Sequence, residues 1–178
     1  KSKGGIGETL RTIVYAVLIA GVIRTFAFEP FNIPSESMLP TLLVGDYLFV
    51  SKYSYGYSRH SLPWSPKIPS GRVLEAVPDR GDIAVFKLPR DNSTDYIKRI
   101  IGLPGDRVQV KKGELFLNGE RVTRKRVNDF AYQDVFGNFY YVPQYRETLP
   151  NGASYLTLDL LQKSNHDDTP EYLVPPGY

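Results

Sequence analysis

The sequence predicts a mostly β fold: an antiparallel β-sheet domain with a small irregular β insertion, preceded by one N-terminal transmembrane helix. Three observations lead there. A single apolar run of about 17 residues stands near the N-terminus. Short β-branched or aromatic runs between turn residues recur after it. An Asn-Gly pair flanked by such runs marks a tight hairpin.

The apolar run is Thr12 to Phe28, TIVYAVLIAGVIRTFAF, interrupted only by Arg24. A buried core helix would also suit it, but three details favour a membrane. Lys1, Lys3 and Arg11 precede the run, which by the positive-inside rule places the N-terminus in the cytoplasm. Arg24 is near the far end, where its long side chain can reach the interface. No small-residue cleavage site follows, as a removable leader would need. Glu29-Pro30 and Ile33-Pro34 then impose extended backbone and stop the helix. Strands are expected at Asp46–Lys52, Asp82–Lys87, Tyr96–Gly102 and Val108–Lys111. Leu103-Pro104-Gly105-Asp106 is a turn, because Pro presets φ and Gly supplies a positive φ. Leu115–Leu117 and Arg121–Thr123 flank Asn118-Gly119 as a hairpin with a primed turn. From Lys125 to Tyr172, tyrosines, prolines and short polar stretches alternate without clear periodicity, which is the irregular β insertion. The closing Val174-Pro175-Pro176-Gly177-Tyr178 is a turn that ordinarily feeds a further element, so a C-terminal portion is expected to follow.

Composition narrows the chemistry. The 178 residues are 42% apolar and 23% charged, enough for a packed core. The net charge of +3 is spread along the chain and is no footprint of a nucleic-acid binder. Cys is absent, which excludes disulfides, Cys-ligated zinc and a thiol nucleophile. The only histidines, His60 and His166, sit in polar, turn-rich surroundings, so a Ser-His-Asp triad or a histidine-rich metal site is a poor fit.

Pro34-Ser35-Glu36-Ser37-Met38-Leu39-Pro40-Thr41 is the informative stretch. Serines at i and i+2 of an extended segment point to the same side, so one hydroxyl can attack a carbonyl while the other donates to its oxygen. Serine needs a base, and with histidine effectively unavailable a neutral lysine is the natural substitute. Burial disfavours the ammonium form, and Lys98, among Tyr96, Ile97, Ile100 and Ile101, has the most apolar neighbourhood of any lysine outside the helix. On residue types alone the pairing stays open. Ser-x-Ser is common in loops, and a strand lysine usually faces water.

The ordered set EPFNIPSESMLPTLLVGDYLFVSK, RGDIAVF, DYIKRIIGLPGD and terminal VPPGY resembles the type I signal peptidases, the bacterial leader peptidases. The resemblance runs from the membrane segment to about Val110 and resumes in the last residues. It implies that Ser37 is the nucleophile and Lys98 the general base. It further implies that Ser35 joins the backbone N–H of Ser37 in the oxyanion hole. The implied activity is cleavage of signal peptides from exported pre-proteins after small residues, through an acyl-enzyme and without metal or organic cofactor. The implied substrate pockets are lined by Phe31, Ile33, Met38, Leu42, Val85, Tyr96 and Ile97, each of which suits ordinary core packing equally well. A shallow apolar pocket rejects larger groups by clash, and the peptide would bind as an added strand. The implied partners are signal peptides and a lipid bilayer, not nucleic acid. The implied location is the bacterial inner membrane, crossed once, with the catalytic domain on the periplasmic face.

On this basis residues 1–28 are the basic end and anchor, and 29–124 are the catalytic β core. Residues 125–173 are the variable insertion, and 174–178 begin a return to the core. Two departures matter. Glu36 stands where many relatives have Gly, and strand alternation would turn it away from the serines. A Gly-Asp-Asn-rich segment, with a serine that orients the lysine, would follow VPPGY and is not in the sequence. The 178 residues by themselves are therefore expected to be poorly active or inactive. An inactive membrane-anchored binding protein is the alternative, and self-cleaving repressors share the chemistry but carry a DNA-binding domain in place of the helix. Finally, Tyr53–Pro69 has the composition of an interfacial belt in Tyr53, Tyr55, Tyr57 and Trp64 with Arg59 and Lys67. Internal packing of those rings is an equal reading.

Overall fold

A computed structural model of the chain describes residues 5–62, 71–133, 136–161 and 164–178. The elements in chain order are α1 (Ile6–Phe26), β1 (Phe28–Asn32), β2 (Tyr47–Ser51), β3 (Ile83–Lys87), β4 (Asp95–Arg99), β5 (Arg107–Lys111), β6 (Glu114–Leu117), β7 (Glu120–Arg121), β8 (Thr123–Arg126), β9 (Phe130–Gln133), β10 (Phe139–Val142), β11 (Gln144–Thr148), β12 (Ser154–Leu158) and β13 (Tyr172–Leu173). The fold is mostly β, its strand pairs are antiparallel, and one apolar helix precedes them. Contacts divide the chain into two compact units, Lys1–Asn32 with Tyr47–Val77, and Ile33–Asp46 with Pro78–Tyr178.

In the first unit, α1 has 21 residues, about 31 Å at 1.5 Å per residue, and none of them is buried. It is long and apolar enough to cross a membrane. It starts earlier than the apolar run, because Glu8, Thr9 and Arg11 continue the helical backbone. It also stops two residues short of Phe28, which the sequence placed in the helix. Glu29-Pro30 demands extended backbone, and Phe28 instead opens β1. β1 and β2 form a two-stranded ribbon with Phe28 opposite Ser51 and Asn32 opposite Tyr47. Pro30 is tolerated in β1 because a two-stranded ribbon has free edges. After β2, Tyr53 packs edge-on against Phe28 and Tyr57 against Phe26, with centroids 5.8 and 6.1 Å apart. Those two rings of the expected aromatic belt thus have partners inside the unit, while Trp64 and Lys67 lie outside the described residues.

The second unit holds β3 and β4 as one ribbon, a four-stranded sheet in the order β13-β5-β6-β7, a three-stranded sheet β12-β11-β8, and a second ribbon β9-β10. Its core gathers Leu117, Val122, Leu149 and Tyr155, with Ile101, Val108, Leu115 and Ala153 against them. Asn118 and Gly119 both have positive φ, 53° and 83°, so the primed turn between β6 and β7 stands as predicted. Arg121–Thr123, expected as one strand, breaks at buried Val122, which turns into the core and separates β7 from β8. The turn at Leu103–Asp106 is fastened by Asp106, whose carboxylate accepts from the Leu103 N–H at 2.6 Å and pairs with Arg80 at 2.8 Å. Residues 125–173, irregular in sequence, contain the end of β8 and the regular strands from β9 to β13. The period-2 signal of β10 is masked because aromatic residues occupy both of its faces.

Candidate active site

The loop from Ile33 to Asp46 presents the two serines. Reciprocal bonds close its base: Ile33 N–H donates to Asp46 O at 3.0 Å, and Gly45 N–H donates to Ile33 O at 2.9 Å. Ile33, 1% exposed, anchors it, with burial of such a side chain contributing about 1.5–3 kcal/mol. Within the loop, Glu36–Met38 is a single 3-10 turn and Ser35 is its N-cap, with φ −139° and ψ 156°. The extended backbone expected across both serines is corrected here. Ser35 followed by Glu36 is a helix-start signal that the two flanking prolines obscured. The hydroxyls still meet, with Ser35 Oγ 3.3 Å from Ser37 Oγ. The turn brings them together, so strand alternation cannot be used to orient Glu36.

Lys98 comes from β4, opposite Ala84 of β3 and beside buried Ile97. Its Nζ donates to Ser37 Oγ at 2.6 Å and to Ile97 O at 2.9 Å, and lies 5.3 Å from the Tyr96 ring centre. Ser35, Ser37 and Lys98 therefore form one continuous string of polar atoms across 61 residues of sequence between serine and lysine.

Behind this string is a cavity of about 340 Å³, lined among others by Ser37, Met38, Lys98, Arg99, Tyr155 and Leu156. Of the seven expected pocket residues, Met38 lines it. Ile97 is buried in β4 opposite half-buried Val85, Tyr96 is exposed opposite Phe86, Leu42 is half-buried, and Ile33 is the loop anchor. Phe31 is on β1 opposite Leu48, in the first unit.

Sequence reasoning missed Arg99, Thr41 and Tyr155. Arg99 donates to Gly81 O at 2.7 Å and to Thr41 Oγ1 at 3.4 Å, and its guanidinium stacks 4.9 Å from the Tyr155 ring centre. It thereby ties β4 to the serine loop. Burial lowers the Arg99 pKa from its ordinary value against the opposing pull of Tyr155. Burial, reinforced by the charge and hydrogen bond of Glu147, pushes the Tyr155 phenol far above its usual range, so it stays neutral. Adjacent Lys98-Arg99 carries no local signal separating the two roles. Their opposite strand faces are the distinction, and that needs the register.

The family model described as signal peptidase, peptidase S26, matches residues 6–177. Signal peptidase I of Rickettsia typhi is 37% identical over 185 aligned residues, covering 99% of this chain and 69% of the relative. Signal peptidase I of Rickettsia conorii is 38% identical, covering 93% and 64%, and that of Rickettsia prowazekii 38%, covering 97% and 67%. The chain thus spans about two thirds of the length of the relatives it matches.

Proposed function

We propose that this chain, which belongs to the signal peptidase family, peptidase S26, carries the Ser37–Lys98 centre of a membrane-anchored endopeptidase that removes signal peptides from exported pre-proteins. The observation that carries this reading is the 2.6 Å contact between Lys98 Nζ and Ser37 Oγ. Hydrogen-bond distance is the geometry a nucleophile and its base require. In the reactive form the neutral Lys98 amine accepts the Ser37 proton. Ser37 Oγ attacks the carbonyl after a small residue. The Ser35 hydroxyl and the Ser37 backbone N–H stabilise the oxyanion. Lys98 passes its proton to the leaving amine, which completes the ester acyl-enzyme. It then takes a proton from water, whose oxygen attacks the ester, and returns that proton to Ser37 Oγ as the acyl group leaves as a carboxylic acid.

The substrate runs as an added strand with small side chains entering pockets built from Met38, Ile97, Ile33, Leu42, Val85 and Tyr96. The helix α1 crosses the bilayer once. Arg11 sets its N-terminal end in the cytoplasm and the β units on the outer face of the bacterial inner membrane.

Acylation by a β-lactam-type inhibitor tests the centre. Wild type should be labelled at Ser37, and Ser37→Ala should not. Lys98→Met should lose label and turnover by at least about 10³-fold with an unchanged circular dichroism spectrum. Label on another residue, or normal turnover in Lys98→Met, would refute the assignment. A protein that only binds would leave Ser37 unlabelled.

A further inference from the structure

A membrane helix ends with a problem of its own. The last carbonyls of any α-helix have no intrahelical donor, and near lipid there is little water to supply one. At the C-terminal end of α1, the segment following β2 supplies the donors. Lys52 Nζ donates to Arg24 O at 3.2 Å, Tyr57 Oη donates to Phe26 O at 2.7 Å, and the Lys52 backbone N–H donates to Ala27 O at 2.9 Å. Three carbonyls of the helix end are thus capped by residues 25 to 31 positions away in sequence. The Tyr57 ring also packs edge-on against Phe26. The same Lys52 ammonium pairs with Glu29 at 3.1 Å, and Glu29 in turn is 3.8 Å from Arg24. Despite its charge the Lys52 side chain is only 9% exposed. A lysine folded inward onto a carbonyl and a carboxylate is a fixed strut, unlike the solvated lysine that a strand end usually carries.

We propose that Lys52 and Tyr57 are positioning residues that lock α1 to the β1–β2 ribbon and fix the angle at which the chain leaves the bilayer. The lock acts on the presentation of a membrane-borne substrate and leaves the chemistry at Ser37 untouched. The chain makes this consequential, because only nine positions separate Phe26 from Ser35. At about 3.5 Å per extended residue, the serine loop is tethered within about 30 Å of the helix end. On so short a tether, a swivelling helix end would change where the nucleophile meets a peptide held in the same bilayer. A peptide free in solution would meet it regardless. The functional half of this inference rests on the peptidase reading above; the structural half does not.

The test uses the full-length protein in phosphatidylethanolamine–phosphatidylglycerol vesicles. These 178 residues have no Cys, so, with any cysteine outside them replaced by Ser, Ile19→Cys with Phe49→Cys gives a unique pair of spin labels, one on α1 and one on β2, at exposed positions. Electron spin resonance should give a narrow distance distribution in the parent. Combining Tyr57→Phe, which keeps the ring and removes the hydroxyl, with Lys52→Met should broaden it. Without spin labels, the same double variant should cleave a soluble peptide within about twofold of the parent. It should process a vesicle-embedded pre-protein about fivefold or more slowly, on the scale of one lost hydrogen bond. An unchanged distance distribution overturns the lock. Equal losses on both substrates, or none on the embedded one, overturn its role in presentation. If the parent cleaves neither substrate, the peptidase reading fails while the distance measurement still decides the lock.

Discussion

Two ribbons of the second unit, β3–β4 and β9–β10, are built alike and used differently. Each is an antiparallel pair, of five and four residues per strand respectively. In β3–β4 a residue is buried on each face, Ala84 opposite Lys98 on one and Ile97 opposite Val85 on the other, so the ribbon is packed on both sides and Lys98 is held at Ser37. In β9–β10 aromatic residues stand on both faces. Phe130, Tyr132 and Tyr140 stack on one, Phe139 and Tyr141 are exposed on the other, and Val142 is the buried residue that ties the ribbon down. The lesson is that strand pairing supplies a scaffold, whereas packing on both faces of the ribbon decides whether a side chain is aimed. Their turns differ too. Asp91 accepts from the N–H groups of Ser93 and Thr94 and from the Thr94 hydroxyl, while Gln133 reaches Gly137 O across the other tip.

Substitutions can break this contrast. The largest effect is expected next to the aimed lysine. On the proposed mechanism, in which Ser35 is one oxyanion donor, Ser35→Ala should lower the rate of peptide cleavage by about 10²–10³-fold while leaving Ser37 acylable. A rate within twofold of wild type would remove Ser35 from the mechanism. Next, Ile97→Ala should cost about 2–5 kcal/mol in urea unfolding, since Ile97 is 5% exposed and its loss opens a cavity beneath Lys98. Tyr141→Ser in the other ribbon, where the ring is 71% exposed, should change stability by no more than about 0.5 kcal/mol. Equal costs at the two sites would end the comparison. The smallest effect is at the β3–β4 turn. The backbone N–H of Ser93, the Thr94 hydroxyl and the Thr94 N–H hold the Asp91 carboxyl down from 3.8 to about 2. A depressed carboxyl contributes stability above its unfolded pKa and loses it as pH falls through the folded one. The turn should therefore stay ordered at pH 4 and loosen towards pH 2. A carbon-detected NMR titration should place the Asp91 midpoint near 2, and a midpoint near 3.8 would show the turn to be open.

Much of the fold was legible because its signals are local. The apolar run marked α1, alternating short runs marked β2 through β5, and Asn118-Gly119 named its turn type, since only those residues take positive φ cheaply at both positions. The stretch 125–173 was illegible for the opposite reason. β10 sets Phe139, Tyr140 and Tyr141 side by side across both faces and so has no alternation to read, and β8 pairs with β11 about 20 residues away. At the site, residue types and motif order pointed to Ser35, Ser37 and Lys98. The same string of letters suggested an extended segment where a 3-10 turn exists, because prolines at 34 and 40 speak for the ends of the loop and not for its middle.

Taken by itself, the sequence determined the chemical inventory: no cysteine, two ill-placed histidines, a serine pair and a lysine in an apolar run. It determined the order of the elements up to the Asn118-Gly119 hairpin as well, since helix and strand periods are properties of neighbours. Only the tertiary structure decided that Ser37 and Lys98 meet across 61 residues, that Arg99 as well as Lys98 reaches the serine loop from β4, and that Lys52 and Tyr57 cap the helix end. Each of these is a contact between residues far apart in the chain. Its geometry is set by which faces are buried together, and no local preference encodes that.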